Sequence, residues 1–147
     1  MDHAPRAAHQ LMTAAPYTFL PEVSIFDAAG RLVREQHSGA PVVDAAGNLA
    51  GVITELDLIK AMSVLRDGTP PSGTVRQIMT PDPIVAKRDT SIYELAELFQ
   101  RVNIRSVSVV EDGKLLGVVS RHDVLRALQS LSREYSRCQA NKTPFQP

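Results

Sequence analysis

Residues 51–57 read Gly-Val-Ile-Thr-Glu-Leu-Asp, and residues 117–123 read Gly-Val-Val-Ser-Arg-His-Asp. A glycine, two β-branched residues, a hydroxyl and an aspartate three places beyond it stand twice in a chain of 147 residues. Self-similarity at a fixed period settles architecture before any single motif does. Displacing the chain by 67 residues lays Met12-Thr13-Ala14-Ala15-Pro16 on Met79-Thr80-Pro81-Asp82-Pro83, Ser24-Ile25 on Ser91-Ile92, and Val42-Val43 on Val109-Val110. The displacement then falls to 66, because Asp44–Asn48 faces the shorter Glu111–Lys114 and Gly47 meets Gly113. A one-residue deletion belongs in a surface turn. Met12–Met62 against Met79–Leu128 gives 15 identities in 50 aligned pairs, where chance gives only a few, so the chain is a tandem repeat.

Each copy predicts strand, helix, strand, strand, helix. The first helix opens at Ser24 or Ser91, each three residues before an acid, Asp27 or Glu94. That spacing is a capping box, in which hydroxyl and carboxylate satisfy each other's backbone N–H groups. Ile25, Ala29, Leu32 and Val33 are expected on one face of the first copy's helix, and Ile92, Ala96 and Phe99 in the second. Gly30 falls inside that first helix and costs about 1 kcal/mol relative to alanine, which predicts a shorter or looser helix than its twin. Residues 41–53 and 107–119 read as hairpins, apolar strands around a glycine-containing turn. The last helix opens at Thr54 or Ser120 and carries Leu56, Ile59 and Met62, or Val124, Leu125 and Leu128. Arg66–Val75, rich in Pro, Gly, Ser and Thr, reads as a linker.

Composition narrows the function. With 44% hydrophobic residues the chain can bury a core, yet no run approaches the roughly 18 apolar residues of a membrane span. Lys plus Arg and Asp plus Glu both total 16, so no overall basic field points to nucleic acid. Cys138 is the single cysteine, which excludes an internal disulfide framework and reads as an incidental exposed thiol. The start, MDHAPRAAHQ, lacks the apolar core of a signal peptide, so the cytoplasm is expected. His3, His9, His37 and His122 share no metal-ligand spacing, and no nucleophile–base set is placed by any motif. Neither a metal site nor a catalytic centre is expected.

Met-Thr-x-x-Pro, the glycine-closed hairpin and the Gly-x-x-Thr/Ser-x-x-Asp phrase, once per copy and in that order, resemble the tandem cystathionine-β-synthase (CBS) domain pair. The resemblance covers roughly residues 12–130. It implies an α/β (α+β) fold of two βαββα units packed by pseudo-twofold symmetry, divided as tail 1–10, unit 11–66, linker 67–77, unit 78–132 and tail 133–147. It also implies two clefts for adenosine-type ligands such as AMP, ADP, ATP or S-adenosylmethionine, each mixing both copies. One cleft takes Thr13, Tyr17, His37 and Ser38 with Val118, Ser120 and Asp123. The other takes Thr80, Ile84, Ile104 and Arg105 with Val52, Thr54 and Asp57. In such clefts the aspartate holds ribose, the hydroxyl residue and nearby basic residues meet phosphate, and apolar side chains hold adenine. Arg105 stands where related modules use a basic residue for phosphate, whereas the first cleft has Ser38 there and must rely on Arg121. The Thr54/Asp57 cleft is therefore expected to be the main site. Tyr17 replaces a smaller residue, and either stacks on the base or fills the pocket.

Thr54-x-x-Asp57 and Ser120-x-x-Asp123 are also capping boxes that require no ligand. The two readings are compatible, since a helix N-terminus offers free N–H groups and a positive dipole end to phosphate. The expected function is a stand-alone regulatory module, not an enzyme, with no cofactor beyond its regulatory nucleotide. The flanking segments are too short for an effector domain, so the output is expected to reach an unidentified effector protein or an oligomer. Leu56, Leu58, Ile59, Met62 and Leu65, with Val124, Leu125, Leu128 and Leu131, lie around more than one helix face, which predicts a homodimer. The alternatives are a ligand-free dimerisation module, or the regulatory part of an enzyme such as a sugar-phosphate isomerase or a dehydrogenase of nucleotide synthesis.

Overall fold

The computed structural model describes residues 3–64, 68 and 72–142. Leu65 and most of the linker segment, residues 66, 67 and 69–71, lie outside them. In chain order the elements are α1 (Ala8–Leu11), β1 (Thr13–Ala14), α2 (Ile25–Glu35), β2 (Gly39–Val43), β3 (Leu49–Thr54) and α3 (Glu55–Met62), then α4 (Val75–Ile78), β4 (Thr80–Pro81), β5 (Val85–Lys87), α5 (Ile92–Arg101), β6 (Ser106–Glu111), β7 (Lys114–Ser120) and α6 (Arg121–Ala140). The counterpart of β5 in the first copy is reduced to one residue, Phe19, in a parallel bridge to Val42.

The strands form two sheets, β1-β7-β6-β5 and β2-β3-β4. The leading strands have changed places: β1 pairs antiparallel with β7, and β4 with β3. The short helices follow them. Ala8 of α1 is buried among Ile92, Leu95, Val107, Val119 and Val124, while Val75 of α4 is buried among Phe19, Ile25, Leu32, Ile53 and Leu58. Each core therefore takes its leading segment from the other copy. The segments read as an N-terminal tail and a linker consequently contain fully buried side chains, Ala8 and Val75, both at 0% exposure.

The repeated glycines permit this exchange. A Cβ on Gly51 would lie 2.6 Å from the Thr80 carbonyl and 2.7 Å from Met79 Sδ, and one on Gly117 would lie 2.6 Å from both the Thr13 carbonyl and Met12 Sδ. In each copy the Met-Thr strand lies directly on the glycine of the other copy's phrase, so the two motifs that define the repeat are the two halves of one contact. The hairpin turns add a second link, since Leu49 N–H donates to the Gly113 carbonyl at 3.0 Å and Leu115 N–H to the Gly47 carbonyl at 3.1 Å. Asp112 and Gly113 both have positive φ, 49° and 79°, as a two-residue mirror-image turn requires.

Helix α2 spans 11 residues against 10 in α5, so Gly30 does not shorten it. It ends instead at Gln36, which is left-handed and donates to the Leu32 and Val33 carbonyls. Its cap is half of the expected box: Ser24 Oγ accepts from Asp27 N–H, without the return bond that Glu94 makes to Ser91 N–H at 2.8 Å. The buried face of α2 is Ile25, Ala28 and Leu32, whereas Val33 is 76% exposed. Val33 lies one residue, about 100° of helix, beyond Leu32 and off the stripe. In α5 the buried residues are Ile92 and Leu95, with Ala96 and Phe99 packed at the edge. Helix α6 runs on into the segment read as a tail, as far as Ala140. Glu134 ties that extension to the N-terminus, accepting from His3 Nδ1 at 3.0 Å and Ala4 N–H at 3.4 Å and pairing with Arg6 at 3.6 Å.

Candidate functional site

Between the two sheets lies a cavity of about 680 Å³, within the size range of small-molecule and cofactor sites. Residues of both expected clefts line it. Strand exchange builds it: β4 sets Thr80 opposite Val52, and β1 sets Thr13 opposite Val118. Two residues beyond each valine the strand ends in a hydroxyl, Thr54 or Ser120, which starts a helix. Register alone thus groups Thr80 with Val52 and Thr54, and Thr13 with Val118 and Ser120. The lining includes Thr13, Tyr17, His37, Ser38, Val52, Thr54, Thr80, Ile84, Ile104, Arg105, Val118, Ser120 and Asp123. Asp57 and Arg121 are not part of that wall.

Asp57 stands directly behind Thr54. Its Oδ2 accepts from Thr54 N–H and Thr54 Oγ1–H, both at 2.9 Å, and Thr54 Oγ1 accepts from Asp57 N–H at 3.3 Å. Oδ1 has no hydrogen-bond partner among the described residues. Asp123 repeats the arrangement with Ser120, at 2.8 and 2.9 Å, but its Oδ1 is taken by Arg126 Nη2 at 3.2 Å. The capping boxes are therefore real. They also hold each carboxylate beside its hydroxyl, and Asp123 Oδ1, paired only with a largely exposed arginine, keeps a lone pair.

The basic residues divide in the same way. Arg121 Nε donates to the Ile104 carbonyl at 2.7 Å and Nη2 to Asn103 Oδ1 at 3.3 Å, which turns its guanidinium onto the backbone before β6 and away from the cavity. Arg105 reaches the lining, and among the described residues its guanidinium makes no hydrogen bond or ion pair. An unpaired guanidinium at a cavity wall is suited to a phosphate, which it binds through two parallel N–H groups.

The apolar walls differ as well. Ile84 is 47% exposed and faces the cavity beside Ile104. Its counterpart Tyr17 packs edge-on against Phe19 with centroids 5.1 Å apart, lies parallel to the His37 ring at 5.9 Å and 13°, and carries the Arg31 guanidinium 4.4 Å from its centroid. Such a cation–ring contact contributes about 0.5–1 kcal/mol at an exposed site. The Tyr17 hydroxyl is buried without a partner among the described residues. Burial pushes its pKa up, with Arg31 pulling the other way.

Sequence reasoning missed Asp82, Ser106 and Ser108 in the lining. Asp82 lies inside the Met-Thr-x-x-Pro phrase and, like Ala15 at the matching position, has positive φ. Ser106 and Ser108 alternate with valines on β6 and both line the cavity, and that period of two was the available signal. Ser108 is only 4% exposed. Among the described residues, no group of three or more His, Cys, Asp or Glu side chains is placed to hold a metal ion, and no helix is long and apolar enough to cross a membrane.

The CBS domain family profile matches residues 8–64 and 75–130. The chain is 31% identical over 117 residues to L-aspartate semialdehyde sulfurtransferase of Methanocaldococcus jannaschii, covering 79% of this chain and 22% of that protein. It is 29% identical over 142 residues to the chloroplastic CBS domain-containing protein CBSX2 of Arabidopsis thaliana, covering 78% of this chain and 59% of that one. The chain thus spans about a fifth of the first relative and somewhat under two thirds of the second. The crystal structure of CBSX2 in complex with AMP superposes with a TM-score of 0.76 at 30% identity, over 87% of this chain and 99% of that one. The CBS domain pair of protein MJ0100, in complex with 5′-methylthioadenosine and S-adenosyl-L-methionine, superposes with a TM-score of 0.72 at 28% identity, over 85% and 97% of the two chains.

Proposed function

The chain belongs to the CBS domain family, and from that premise we propose that it is a regulatory module that binds an adenosine-type ligand in the Thr54/Asp57 half of its cavity. The observation that carries the reading is the Asp57 carboxylate, with Oδ2 held by Thr54 and Oδ1 without a hydrogen-bond partner among the described residues. In this reading Asp57 accepts the ribose hydroxyls, Thr54, Thr80 and Arg105 meet phosphate, and Ile84, Ile104 and Val52 hold the base. The relatives crystallised with AMP, 5′-methylthioadenosine and S-adenosyl-L-methionine support the ligand class.

The module acts by linkage in the cytoplasm. A ligand shifts a partner only by its differential affinity for the partner's two states. The first partner is a second copy of the chain, for Leu56 and Ile59 of α3 and Leu125 of α6 are 56%, 61% and 66% exposed, and a twofold dimer covers them. An effector protein then reads the dimer's geometry. A second reading, regulation of an enzyme's catalytic domain, is favoured by the similarity to a segment of the sulfurtransferase.

A thermal-shift series with AMP, ADP, ATP and S-adenosylmethionine tests the proposal. A ligand present at 100 times its Kd adds about 2.7 kcal/mol to the native state, which raises Tm by roughly 5–10 °C for a chain of this size. The absence of a shift with all four at millimolar concentration refutes it.

A further inference from the structure

We propose that Tyr17 plugs the first half of the cavity, so that each chain takes a single adenosine-type ligand, seated in the second half. The inference rests on the reading above and adds to it the stoichiometry and the residue that sets it. Its basis is the comparison of two half-sites that the repeat makes equivalent.

The wall that would receive a base differs between the two sides. Ile84 presents 47% of its surface, whereas the matched Tyr17 is engaged by Phe19, His37 and Arg31 at 5.1, 5.9 and 4.4 Å. None of these neighbours has an aromatic or cationic counterpart: displaced by 67 residues, Phe19 falls on Ala86, His37 on Ile104 and Arg31 on Leu98. The cluster is thus a feature of the first copy alone. The Tyr17 ring is held in place by these three neighbours, and its buried hydroxyl bonds nothing among the described residues.

Two further groups have been withdrawn from the same half. Asp123 Oδ1 is bound to Arg126, whereas Lys60, at the matched position, makes no such pair with Asp57. Arg121 is bound to the Ile104 carbonyl and Asn103, and Ser38 replaces the arginine that the other half has at position 105. The base wall and the phosphate cation are therefore compromised on one side and available on the other, while of the two carboxylates Asp123 lines the cavity and Asp57 stands behind Thr54. Removing the plug restores the base wall, and the base is the largest apolar part of the ligand.

Calorimetric titration with AMP reads the stoichiometry directly, using the native chain, Tyr17→Ile (the residue found at position 84) and Asp123→Asn. One equivalent in the native chain, still present in Asp123→Asn, and a second, weaker equivalent in Tyr17→Ile are expected. Two equivalents in the native chain, loss of the single equivalent in Asp123→Asn, or one equivalent retained by a folded Tyr17→Ile would each overturn the plug. If the native chain binds no AMP, the functional reading fails by itself. The plug then stands only if Tyr17→Ile binds, and falls if it does not.

Discussion

Gly51→Ala tests the exchange of leading strands on which the whole cavity depends. The added methyl would lie 2.6 Å from the Thr80 carbonyl oxygen, 2.7 Å from Met79 Sδ and 3.1 Å from Met79 Cγ. The methionine can swing aside, but the carbonyl cannot, because β4 is held to β3 at Gly51↔Pro81 and Val52↔Thr80. Overpacking of this kind costs about 1–3 kcal/mol, and the involvement of backbone places the cost near 2 kcal/mol. At about 2–4 °C per kcal/mol, Tm should fall by roughly 4–8 °C. Gly117→Ala, meeting the Thr13 carbonyl and Met12 Sδ at 2.6 Å each, should behave alike. Gly30→Ala provides the opposite sign: its methyl meets only Arg34 Nη1 at 3.7 Å, so helix propensity alone raises Tm by about 2–3 °C. Thermal unfolding followed by circular dichroism measures all three. A Gly51→Ala protein that melts within a degree of the native chain would refute the close strand contact and with it the argument for the repeated glycine.

Three further outcomes follow from single contacts. Arg105→Ala should weaken ATP and ADP more than adenosine in calorimetric titration, since only phosphorylated ligands meet the guanidinium, and equal losses would make Arg105 structural. Asp44 accepts from Asn48 N–H, the Asn48 amide and Ala46 N–H, which holds its carboxyl below the usual range. A carboxyl depressed by folding stabilises above its unfolded pKa and loses that contribution as pH falls through the folded value, so Asp44→Asn should show a shallower loss of stability below about pH 4. Light scattering at tens of micromolar should give twice the chain mass of 16.0 kDa, with Leu56→Glu/Ile59→Glu shifting the protein to monomer, and a native monomer would return those faces to another partner.

The parts of the fold encoded by near neighbours were legible. Thr54 and Asp57, or Ser91 and Glu94, carry their geometry in a three-residue spacing, and the Asp112-Gly113 turn carries its own in two residues. The exchange of leading segments was not written in that way. Ala8 and Val75 sit in short helices that look alike locally, and which core each enters depends on where the chain returns after a whole copy. Val33 misled because an apolar residue adjacent to a buried position reads as part of the stripe, yet one helical step carries it into solvent. Most of the expected residues line one cavity, since matched positions in two copies fall together under a twofold exchange, but Asp57 and Arg121 do not. Its inequality was partly visible in Ser38 against Arg105. The rest, Arg121 bound to the Ile104 carbonyl and Asp123 to Arg126, depends on rotamers that no spacing specifies.

The central claim is that Asp57 is the ribose acceptor, and calorimetric titration of AMP into the native chain and Asp57→Ala tests it most directly. Circular dichroism checks whether the variant, which also loses its cap contacts to Thr54, remains folded. Loss of hydrogen bonds to a charged group costs about 1.5–3 kcal/mol, so the account predicts a Kd raised roughly ten- to hundredfold. An unchanged Kd in folded Asp57→Ala, with binding abolished instead in Asp123→Ala, would contradict it.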